Sequence, residues 1–300
     1  MSDTHLLIFG LGYTGQAIAR AALAAGHSVT ATSRDPAHAP RVEGVRLIGF
    51  GEAAQAIADA THLVATAPPP EDGGTGEGTD PVLDLYGAAI RAAPRLRWAG
   101  YLSTTGVYGD HGGGWVDEAT PPRPGQSRSQ RRLAAEQGWE ALADRMAVDL
   151  FRVAGIYGPG RSPLDDLRAG RARRVIKPGH AFGRIHRDDI AAAVLAAIGQ
   201  TLKPGVRVLN LNDDEPAEAA LVVEEAASLL GMEPPPAVPY EQAAARMSPM
   251  GLSFWQESRR VSSVATQAAL GLRWRYPTYR EGLRGILQQE RMQQGLDGPA

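Results

Sequence analysis

Short apolar runs alternate with amphipathic segments along the first half of the chain. The apolar runs are bounded by glycine, proline or polar clusters, which predicts strands at residues 5–9, 28–33, 45–48, 62–67, 98–103 and 147–152. The segments between them predict helices at residues 16–25, 52–60, 81–93 and 128–145. Strands that alternate with helices at this spacing indicate βαβ units, so we predict an α/β fold with a doubly wound parallel sheet.

The second half of the chain has a different pattern. Helices are predicted at residues 164–170, 187–198, 217–230, 240–247, 262–270 and 278–289, with one strand at 206–211. We expect a first domain at residues 1–160 and a smaller C-terminal lobe at 161–300, with elements at about 184–215 that return to the first sheet. Two long loops, at 71–80 and 110–126, have the length of binding loops or lids.

Composition and charge narrow the class of protein. The 300 residues include 43% hydrophobic and 21% charged residues, which is ordinary for a globular chain. The formal charge of −2 disfavours a general nucleic-acid binder. The absence of cysteine excludes disulfides, thiolate nucleophiles and cysteine-ligated metals. The seven histidines are scattered and no HExxH pair occurs, so we expect no metal site. We expect a cytoplasmic protein without a membrane span, because we find no signal peptide and no sufficiently long apolar run.

A glycine triad follows the first predicted strand and opens the first predicted helix. Gly10 permits a tight turn, Gly12 permits close approach of a pyrophosphate, and Gly15 permits close packing of helix on strand. The intervening Tyr13 and Thr14 bring their backbone N–H groups to the helix N-terminus, where phosphates bind. This context predicts a Rossmann dinucleotide site, and the alternative is a glycine-rich turn without a ligand.

The end of the second predicted strand indicates which dinucleotide binds. Ser33 and Arg34 stand where an acidic residue would bind a free ribose 2′-hydroxyl. A guanidinium beside a hydroxyl suits a 2′-phosphate, so we predict NADP, with NAD as the alternative because Asp35 follows. Thr66 and Ala67, at the end of the fourth predicted strand, complete the predicted cofactor contacts on this side of the sheet.

Longer segments carry a more specific resemblance. They read YLSTTGVYG at residues 101–109, FRVAGIYGPG at 151–160, RIHRDDI at 184–190, NLNDDEP at 210–216 and YPTYREGL at 276–283. In these motifs the chain resembles the extended short-chain dehydrogenase/reductases of the NAD-dependent epimerase/dehydratase superfamily, over nearly its whole length. The resemblance implies a Rossmann domain with a substrate-binding lobe, an NAD(P) cofactor and an oxidoreductase or epimerase reaction.

The catalytic pair of that superfamily is replaced in this chain. The superfamily uses a Ser/Thr with a Tyr-x-x-x-Lys pair, and alignment of the motifs puts Thr104 at the Ser/Thr position. It puts Arg128 where the tyrosine belongs and Arg132 where the lysine belongs. An arginine keeps its proton near neutrality, so Arg128 cannot act as a general acid or base. Arg132 can still donate hydrogen bonds to the cofactor. These departures are similar to an atypical, YeeZ-like subgroup.

Other residues are candidates for the missing proton transfer. Thr104 and Tyr108 are our predicted catalytic residues, with a structural role as the alternative for each. Asp110 and His111, at the start of the second long loop, are weaker candidates because loop polar residues are usually solvated.

A basic segment predicts the nature of the substrate. Residues 161–187 hold eight Arg and Lys residues and two aspartates. We predict that Arg128, Arg161 and Arg184 bind a small anionic substrate, such as a nucleotide sugar, through charge-assisted hydrogen bonds. A solvated basic face is the alternative, and nucleic acid is disfavoured because few aromatic residues lie among the charges.

Two functions from different classes therefore stay open. The first is an NADP-dependent oxidoreductase or epimerase-like enzyme. The second is a non-catalytic NADP-binding redox sensor or regulatory protein, which arginine at both positions of the catalytic pair would suit. The sequence does not name the substrate, and a homo-oligomer is compatible with it.

Overall fold

The computed structural model of the protein describes residues 4–70 and 80–294. Its strands, in chain order, are β1 (His5–Phe9), β2 (Ser28–Ser33), β3 (Val45–Gly49), β4 (His62–Ala65), β5 (Trp98–Thr104), β6 (Trp115–Val116), β7 (Ala147–Val153), β8 (Gly155–Tyr157), β9 (Arg174–Ile176), β10 (Ala181–Phe182), β11 (Arg184–His186), β12 (Gly205–Leu211), β13 (Ala217–Glu218), β14 (Ala237–Pro239) and β15 (Arg260–Val261). The helices are α1 (Tyr13–Ala24), α2 (Ala54–Asp59), α3 (Pro81–Ala92), α4 (Ser127–Glu140), α5 (Pro163–Arg168), α6 (Arg187–Ile198), α7 (Ala219–Leu230), α8 (Tyr240–Ala244), α9 (Pro249–Trp255), α10 (Val264–Leu270) and α11 (Tyr279–Gln293). Short 3₁₀ turns lie at Phe50–Glu52 and Thr105–Tyr108.

Seven parallel strands form the central sheet, in the order β12-β7-β5-β4-β1-β2-β3. The strand order reverses between β1 and β4, and ligands of open α/β sheets bind beside such a switch point. This confirms the predicted α/β fold of Rossmann type with a smaller C-terminal region. The four-residue β4 and the seven-residue β7 are buried throughout, as is typical of parallel strands covered on both faces.

Two hydrophobic cores cover the two faces of the sheet. On one face Leu6 and Ile8 of β1 pack with α1 and α6, and on the other Leu7 and Phe9 pack with α2, α3 and α4. The alternation follows from the two-residue period of a strand. A third core joins α5, α7 and α11 and forms the C-terminal lobe.

The C-terminal half also contributes to the central sheet. β12 pairs with β7 along its whole length, and α6 packs on α1. The sheet is therefore completed by residues that follow position 160, while the division of the chain into two domains there stays a prediction.

Local sequence sets most element boundaries, and the differences from prediction have local causes. Proline at the first helical position and a polar cap start α3 at Asp80, α5 at Ser162 and α9 at Ser248. The prediction started the first helix at residue 16, but α1 starts at Tyr13 because Gly15 takes helical geometry. Residues 217–218, predicted as helix, form β13 against β10.

The two predicted loops have different outcomes. Residues 71–79 lie outside the described part of the chain. The 110–126 loop contains β6, which pairs with β15. Its first residues are fastened to the same segment, because Ser258 N donates to Asp110 Oδ1 at 2.8 Å and His111 N donates to Ser258 O at 3.0 Å. Within the described residues, no helix is long and apolar enough to cross a membrane.

Candidate active site

The glycine loop between β1 and α1 is built by close backbone contacts. Gly10 has φ +101°, a conformation that favours glycine. A Cβ at Gly15 would lie 2.1 Å from Gly10 O, so only glycine lets the helix start this close to the turn. Thr66 Oγ1, at the end of β4, donates to Gly10 O at 2.8 Å, and Thr32 Oγ1 accepts from Gly10 N at 3.2 Å. The loop is therefore held from both sides of the switch point.

The start of α1 is open to a ligand. Gly12 is exposed, and a Cβ built there would meet no atom within 4 Å. No described side chain caps α1, and its first turn holds no acidic residue. The N-terminal N–H groups, including those of Tyr13 and Thr14, are thus available to an anion, and the helix dipole favours one.

Two charged residues at the end of β2 differ in their contacts. The Arg34 guanidinium has no hydrogen-bond partner among the described residues, whereas the Asp35 carboxylate has several. Asp35 Oδ1 accepts hydrogen bonds from the backbone N–H groups of Ala37 and His38, and Oδ2 lies 2.8 Å from His38 Nδ1. The Asp35 carboxylate therefore contacts groups of its own loop. Arg34 is exposed and makes no hydrogen bond or ion pair with the described residues, and Ser33 Oγ donates to Asp35 O at 3.1 Å.

Tyr13 links the glycine loop to the segment that follows β8. Its hydroxyl donates to Pro159 O at 3.1 Å, and Gly158 allows this approach, because a Cβ there would lie 2.7 Å from the hydroxyl. The guanidinium carbons of Arg161 and Arg187 lie 5.7 and 4.7 Å from the centroid of the Tyr13 ring. Two cations from the lobe thus stand beside the loop.

A cavity of about 950 Å³ extends from the carboxyl ends of β5 and β7 into the C-terminal lobe. Six arginines and one glutamate are the charged side chains of its lining: Arg128, Arg131, Arg132, Arg161, Arg184, Arg259 and Glu257. Aromatic rings and small aliphatic residues supply much of the remaining wall. A cavity with this excess of positive charge suits an anionic ligand.

Helix α4 carries Arg128 and Arg132, the two arginines that the sequence predicts at the positions of the catalytic pair. Arg128 lies in its first turn, with Cζ 3.7 Å from the centroid of the Phe254 ring. Burial lowers the pKa of Arg128, nearby Arg259 lowers it further, and Glu257 opposes the shift. One turn further on, Arg132 Nη1 donates to Leu102 O at 2.8 Å and to Tyr101 Oη at 3.2 Å. Arg132 is therefore tied to the end of β5.

The inner face of α4 carries a buried ion pair that sequence reasoning missed. Arg152 Nη2 lies 2.8 Å from Glu136 Oε2, with both side chains at most 5% exposed. Ser103 Oγ donates to Glu136 Oε1 at 2.5 Å. This network fixes α4 against β5 and β7, beneath the cavity. A glutamate in a helix and an arginine in an apolar strand gave no sequence signal that they would meet.

The two predicted catalytic residues lie in different surroundings. Thr104 lines the cavity, where its Oγ1 accepts a hydrogen bond from Gly106 N at 3.1 Å. Tyr108 is fully buried and is not among the cavity-lining residues. Its hydroxyl donates to Asn210 Oδ1 at 2.8 Å, and the Arg152 guanidinium lies 4.8 Å from its ring. Burial raises the pKa of Tyr108, although Arg152 opposes the shift.

The cavity lining also holds a buried arginine and a phenol, Arg184 and Tyr279. Arg184 Nη1 donates to the carbonyls of Phe182 and Ala217, at 2.9 and 3.0 Å. Burial lowers the pKa of Arg184, and the nearby Asp213 opposes that shift. The Tyr279 hydroxyl is buried and has no hydrogen-bond partner among the described residues. Burial raises its pKa, so the phenol stays protonated and can donate.

The structure thus brings together part of the predicted site. Arg128, Arg132, Arg161, Arg184 and Thr104 share one cavity. Gly10, Gly12, Gly15, Thr14 and Thr66 form or adjoin the glycine loop, with Ala67 next along the chain after β4. Ser33 and Arg34 follow at the end of β2, while Tyr108 lies apart in the interior. Sequence reasoning missed Phe254, Glu257 and Arg259. Arg187 and Tyr279 lie in the basic segment and in the 276–283 motif, but neither was predicted as a site residue. Within the described residues, no group of three or more His, Asp or Glu side chains could hold a metal ion.

Comparison with curated proteins identifies relatives over most of the chain. Protein YeeZ of Escherichia coli K12 is 31% identical over 243 residues, which cover 76% of this chain and 84% of YeeZ. A 3-diazoavenalumate denitrifying reductase from Streptomyces is 27% identical over 306 residues, covering 91% of this chain and 96% of the reductase. No protein-family model matches the chain.

Solved structures give the same result for the fold. A conserved protein of unknown function from Silicibacter pomeroyi has a TM-score of 0.86 and 42% identity, with 95% of this chain and 99% of that chain covered. The human epimerase family protein SDR39U1, solved with NADPH, has a TM-score of 0.78 and 20% identity over 95% and 99% of the two chains. MoeE5, solved with UDP-glucuronic acid and NAD, has a TM-score of 0.75 and 20% identity over 96% and 99%.

The identity to YeeZ over three quarters of the chain exceeds what a shared fold alone requires, and it agrees with the glycine loop, the strand order and the cavity. The chain belongs to the YeeZ family, within the extended short-chain dehydrogenase/reductases of the NAD-dependent epimerase/dehydratase superfamily.

Proposed function

We propose that the protein is an NADP-preferring oxidoreductase or epimerase-like enzyme that acts on a small anionic substrate. The observation that carries the proposal is the cavity with six arginines and one glutamate, which begins at the carboxyl ends of β5 and β7. Solved relatives that share the fold contain NADPH or NAD, and one of them also contains a nucleotide sugar. A nucleotide sugar is therefore one candidate substrate.

The residues present fit a dinucleotide. The open start of α1 would hold its pyrophosphate, because Gly12 leaves room for it and the helix dipole favours its charge. Arg34 and Ser33 would bind a 2′-phosphate, and the Asp35 carboxylate that would repel it is engaged with His38. Arg132 would donate to the ribose. When bound, the nicotinamide would supply or accept the hydride.

The chain's own groups would position the substrate. Thr104 Oγ can donate a hydrogen bond to a substrate oxygen at the end of β5, and Arg128, Arg161 and Arg184 can bind substrate anions. Arg128 stays charged, so it would stabilise a negatively charged oxygen without transferring a proton. The proton would come from solvent or from a neighbouring hydroxyl.

A titration of the purified chain with NADPH and, separately, NADH tests the cofactor part. We expect NADPH to bind more tightly, and Arg34→Ala to weaken NADPH by about tenfold while NADH is unchanged, since one charge-assisted contact contributes about 1.5 kcal/mol or more. Arg41→Ala, another exposed arginine after β2, is the matched control. Equal affinity for the two cofactors would overturn the NADP preference, and binding of neither would overturn the oxidoreductase proposal.

A second function is favoured by the predicted alignment, which puts arginine at both positions of the catalytic pair. An NADP-binding redox sensor or regulatory protein needs no proton donor. It predicts tight cofactor binding with no oxidation of NADPH by any carbonyl or sugar-nucleotide pool, whereas an enzyme predicts turnover that Thr104→Val slows.

A further inference from the structure

Four side chains form one wall of the cavity beside the end of β5. We call Arg128, Phe254, Glu257 and Arg259 the guanidinium wall. The Phe254 ring stacks on the Arg128 guanidinium at 3.7 Å. Arg259 Nη1 donates to Glu257 Oε2 at 3.0 Å and to Gly109 O at 2.7 Å. Phe254 thus holds Arg128, while Glu257 and the carbonyl of Gly109 hold Arg259. No sequence motif connected Phe254, Glu257 or Arg259 with the site.

The charge of the guanidinium wall is unbalanced. It holds two guanidiniums and one carboxylate, which leaves one positive charge. Burial lowers the pKa of Arg128, Glu257 opposes this shift, and the nearby Arg259 adds to it. Like charges gathered in a partly buried wall are unfavourable unless an anion joins them. The wall therefore suits a monoanion, and a carboxylate matches the planar guanidinium geometry.

The position of the guanidinium wall in the cavity indicates which part of the substrate would carry the negative charge. Arg128 lies in the first turn of α4, Thr104 ends β5, and both line the cavity. Arg259 bonds to Gly109, directly after the turn that follows β5. Under the proposed function, hydride is exchanged beside Thr104, so an anion on this wall lies next to the reacting carbon. Arg161 and Arg184, in contrast, are supplied by the C-terminal lobe.

We propose that Arg128 and Arg259 bind a substrate carboxylate next to the carbon that exchanges hydride, so that the substrate is an oxo or hydroxy carboxylic acid. This inference rests on the proposed function. Phe254 and Glu257 are positioning residues: the ring fixes Arg128 and the carboxylate fixes Arg259. In the reducing direction, the carbonyl carbon gains a hydride from NADPH and a C–H bond forms. The C=O π electrons move to oxygen, which takes a proton from solvent, so the ketone is reduced and NADPH is oxidised to NADP⁺.

Binding of matched probes tests the inference without turnover. The chain saturated with NADP⁺ is titrated calorimetrically with pyruvate, acetoacetate and phenylpyruvate, and with phenylacetone, which has the phenylpyruvate skeleton without the carboxylate. We expect at least one oxo acid to bind with a Kd below about 10 mM. We expect phenylacetone to bind at least about tenfold more weakly than phenylpyruvate, because it lacks the charge-assisted bonds.

Substitutions in the guanidinium wall test whether its residues supply the affinity for the oxo acid. Arg128→Met and Arg259→Met should each weaken the tightest oxo acid by about 10- to 100-fold, since each removes a charged partner. Phe254→Leu should weaken it by about two- to fivefold through loss of the cation–π contact. Arg260→Met is the control, because Arg260 is the exposed neighbour of Arg259 and does not line the cavity.

The outcomes separate this inference from the proposed function. Oxo acids that bind no better than phenylacetone, or an affinity unchanged in Arg259→Met, would overturn it. UDP-glucuronic acid that binds independently of Arg259 would also overturn it and place the anion in the lobe. A parallel titration without cofactor covers failure of NADP⁺ binding: the proposed function then falls, while oxo-acid binding that needs both arginines still supports the carboxylate site.

Discussion

The glycine loop and the guanidinium wall are two candidate binding regions that are built in different ways. The loop is made of backbone: Gly10, Gly15 and the start of α1 depend on what side chains leave out. The wall is made of side chains from two distant segments, α4 and the stretch from α9 to Arg259. Backbone sites constrain which residues are allowed, whereas side-chain sites can change chemistry without changing the fold. A chain of this superfamily can therefore keep the glycine loop while the side chains at the predicted positions of the catalytic pair change.

The largest expected effect comes from a change in the buried ion pair on the inner face of α4. Glu136→Gln should reduce the free energy of unfolding by about 3–5 kcal/mol, because it leaves the buried Arg152 guanidinium without its counter-charge. Urea denaturation measures the change, and Glu140→Gln, an exposed position at the end of the same helix, is the control. A loss below about 1 kcal/mol would show that α4 does not need this pair, and that the wall rests on other contacts.

A second variant tests the backbone site. Gly15→Ala should reduce the free energy of unfolding by about 3 kcal/mol and remove NADPH binding, because the new methyl meets Gly10 O at 2.1 Å. Gly87→Ala is the control, since nothing lies within 4 Å of its Cβ and alanine favours the helix. A Gly15→Ala chain with normal stability and affinity would remove the contrast between the two sites.

The sheet beneath the loop should respond to acid. Burial lowers the pKa of His62 to about 4, below the ordinary value of 6.5, so the folded state prefers the neutral ring. The stability from this group is complete above about pH 6.5 and is lost as the pH falls to about 4, a change of about 3 kcal/mol. Urea denaturation from pH 7.5 to 4.5 should show a steeper loss for the wild type than for His62→Gln. Parallel curves would contradict the shift.

The smallest expected effect concerns the predicted catalytic Tyr108. Tyr108→Phe removes the hydrogen bond to Asn210 and should cost about 1 kcal/mol of stability. Its place outside the cavity lining leads us to expect the same rate of NADPH oxidation as in the wild type, once a substrate pool is found. A rate reduced tenfold or more, with NADPH affinity unchanged, would instead support the catalytic role predicted from the sequence.

The sequence predicted the elements that local patterns determine. Every strand of the central sheet was predicted within two residues at each end, because buried parallel strands are short apolar runs between turn residues. The glycine loop was predicted because three glycines at this spacing, between a strand and a helix, are typical of a tight turn with close backbone contacts. Arg128 and Arg132 were found by alignment of motifs, and their shared cavity with Arg161 and Arg184 followed from the expected lobe.

The remaining part of the site depends on contacts that no local pattern encodes. Phe254 lies in α9, a short exposed helix that the sequence did not predict, and it meets Arg128 across 126 positions. Glu257 and Arg259 follow in a segment without periodicity. For Tyr108 the sequence motif predicted a catalytic role, but the structure shows its hydroxyl donating a hydrogen bond to Asn210. Asn210 is distant in sequence and comes near Tyr108 only when the sheet is folded.

The pairing of β12 with β7 has a consequence for how the chain folds during synthesis. When residues 1–160 have been made, β7 still has an open edge, because its neighbour is residues 205–211. An uncovered, apolar parallel strand is a site for wrong pairing with other chains. The nascent chain must therefore keep that edge unpaired until β12 is made, and a fragment that stops at residue 160 should be prone to aggregate.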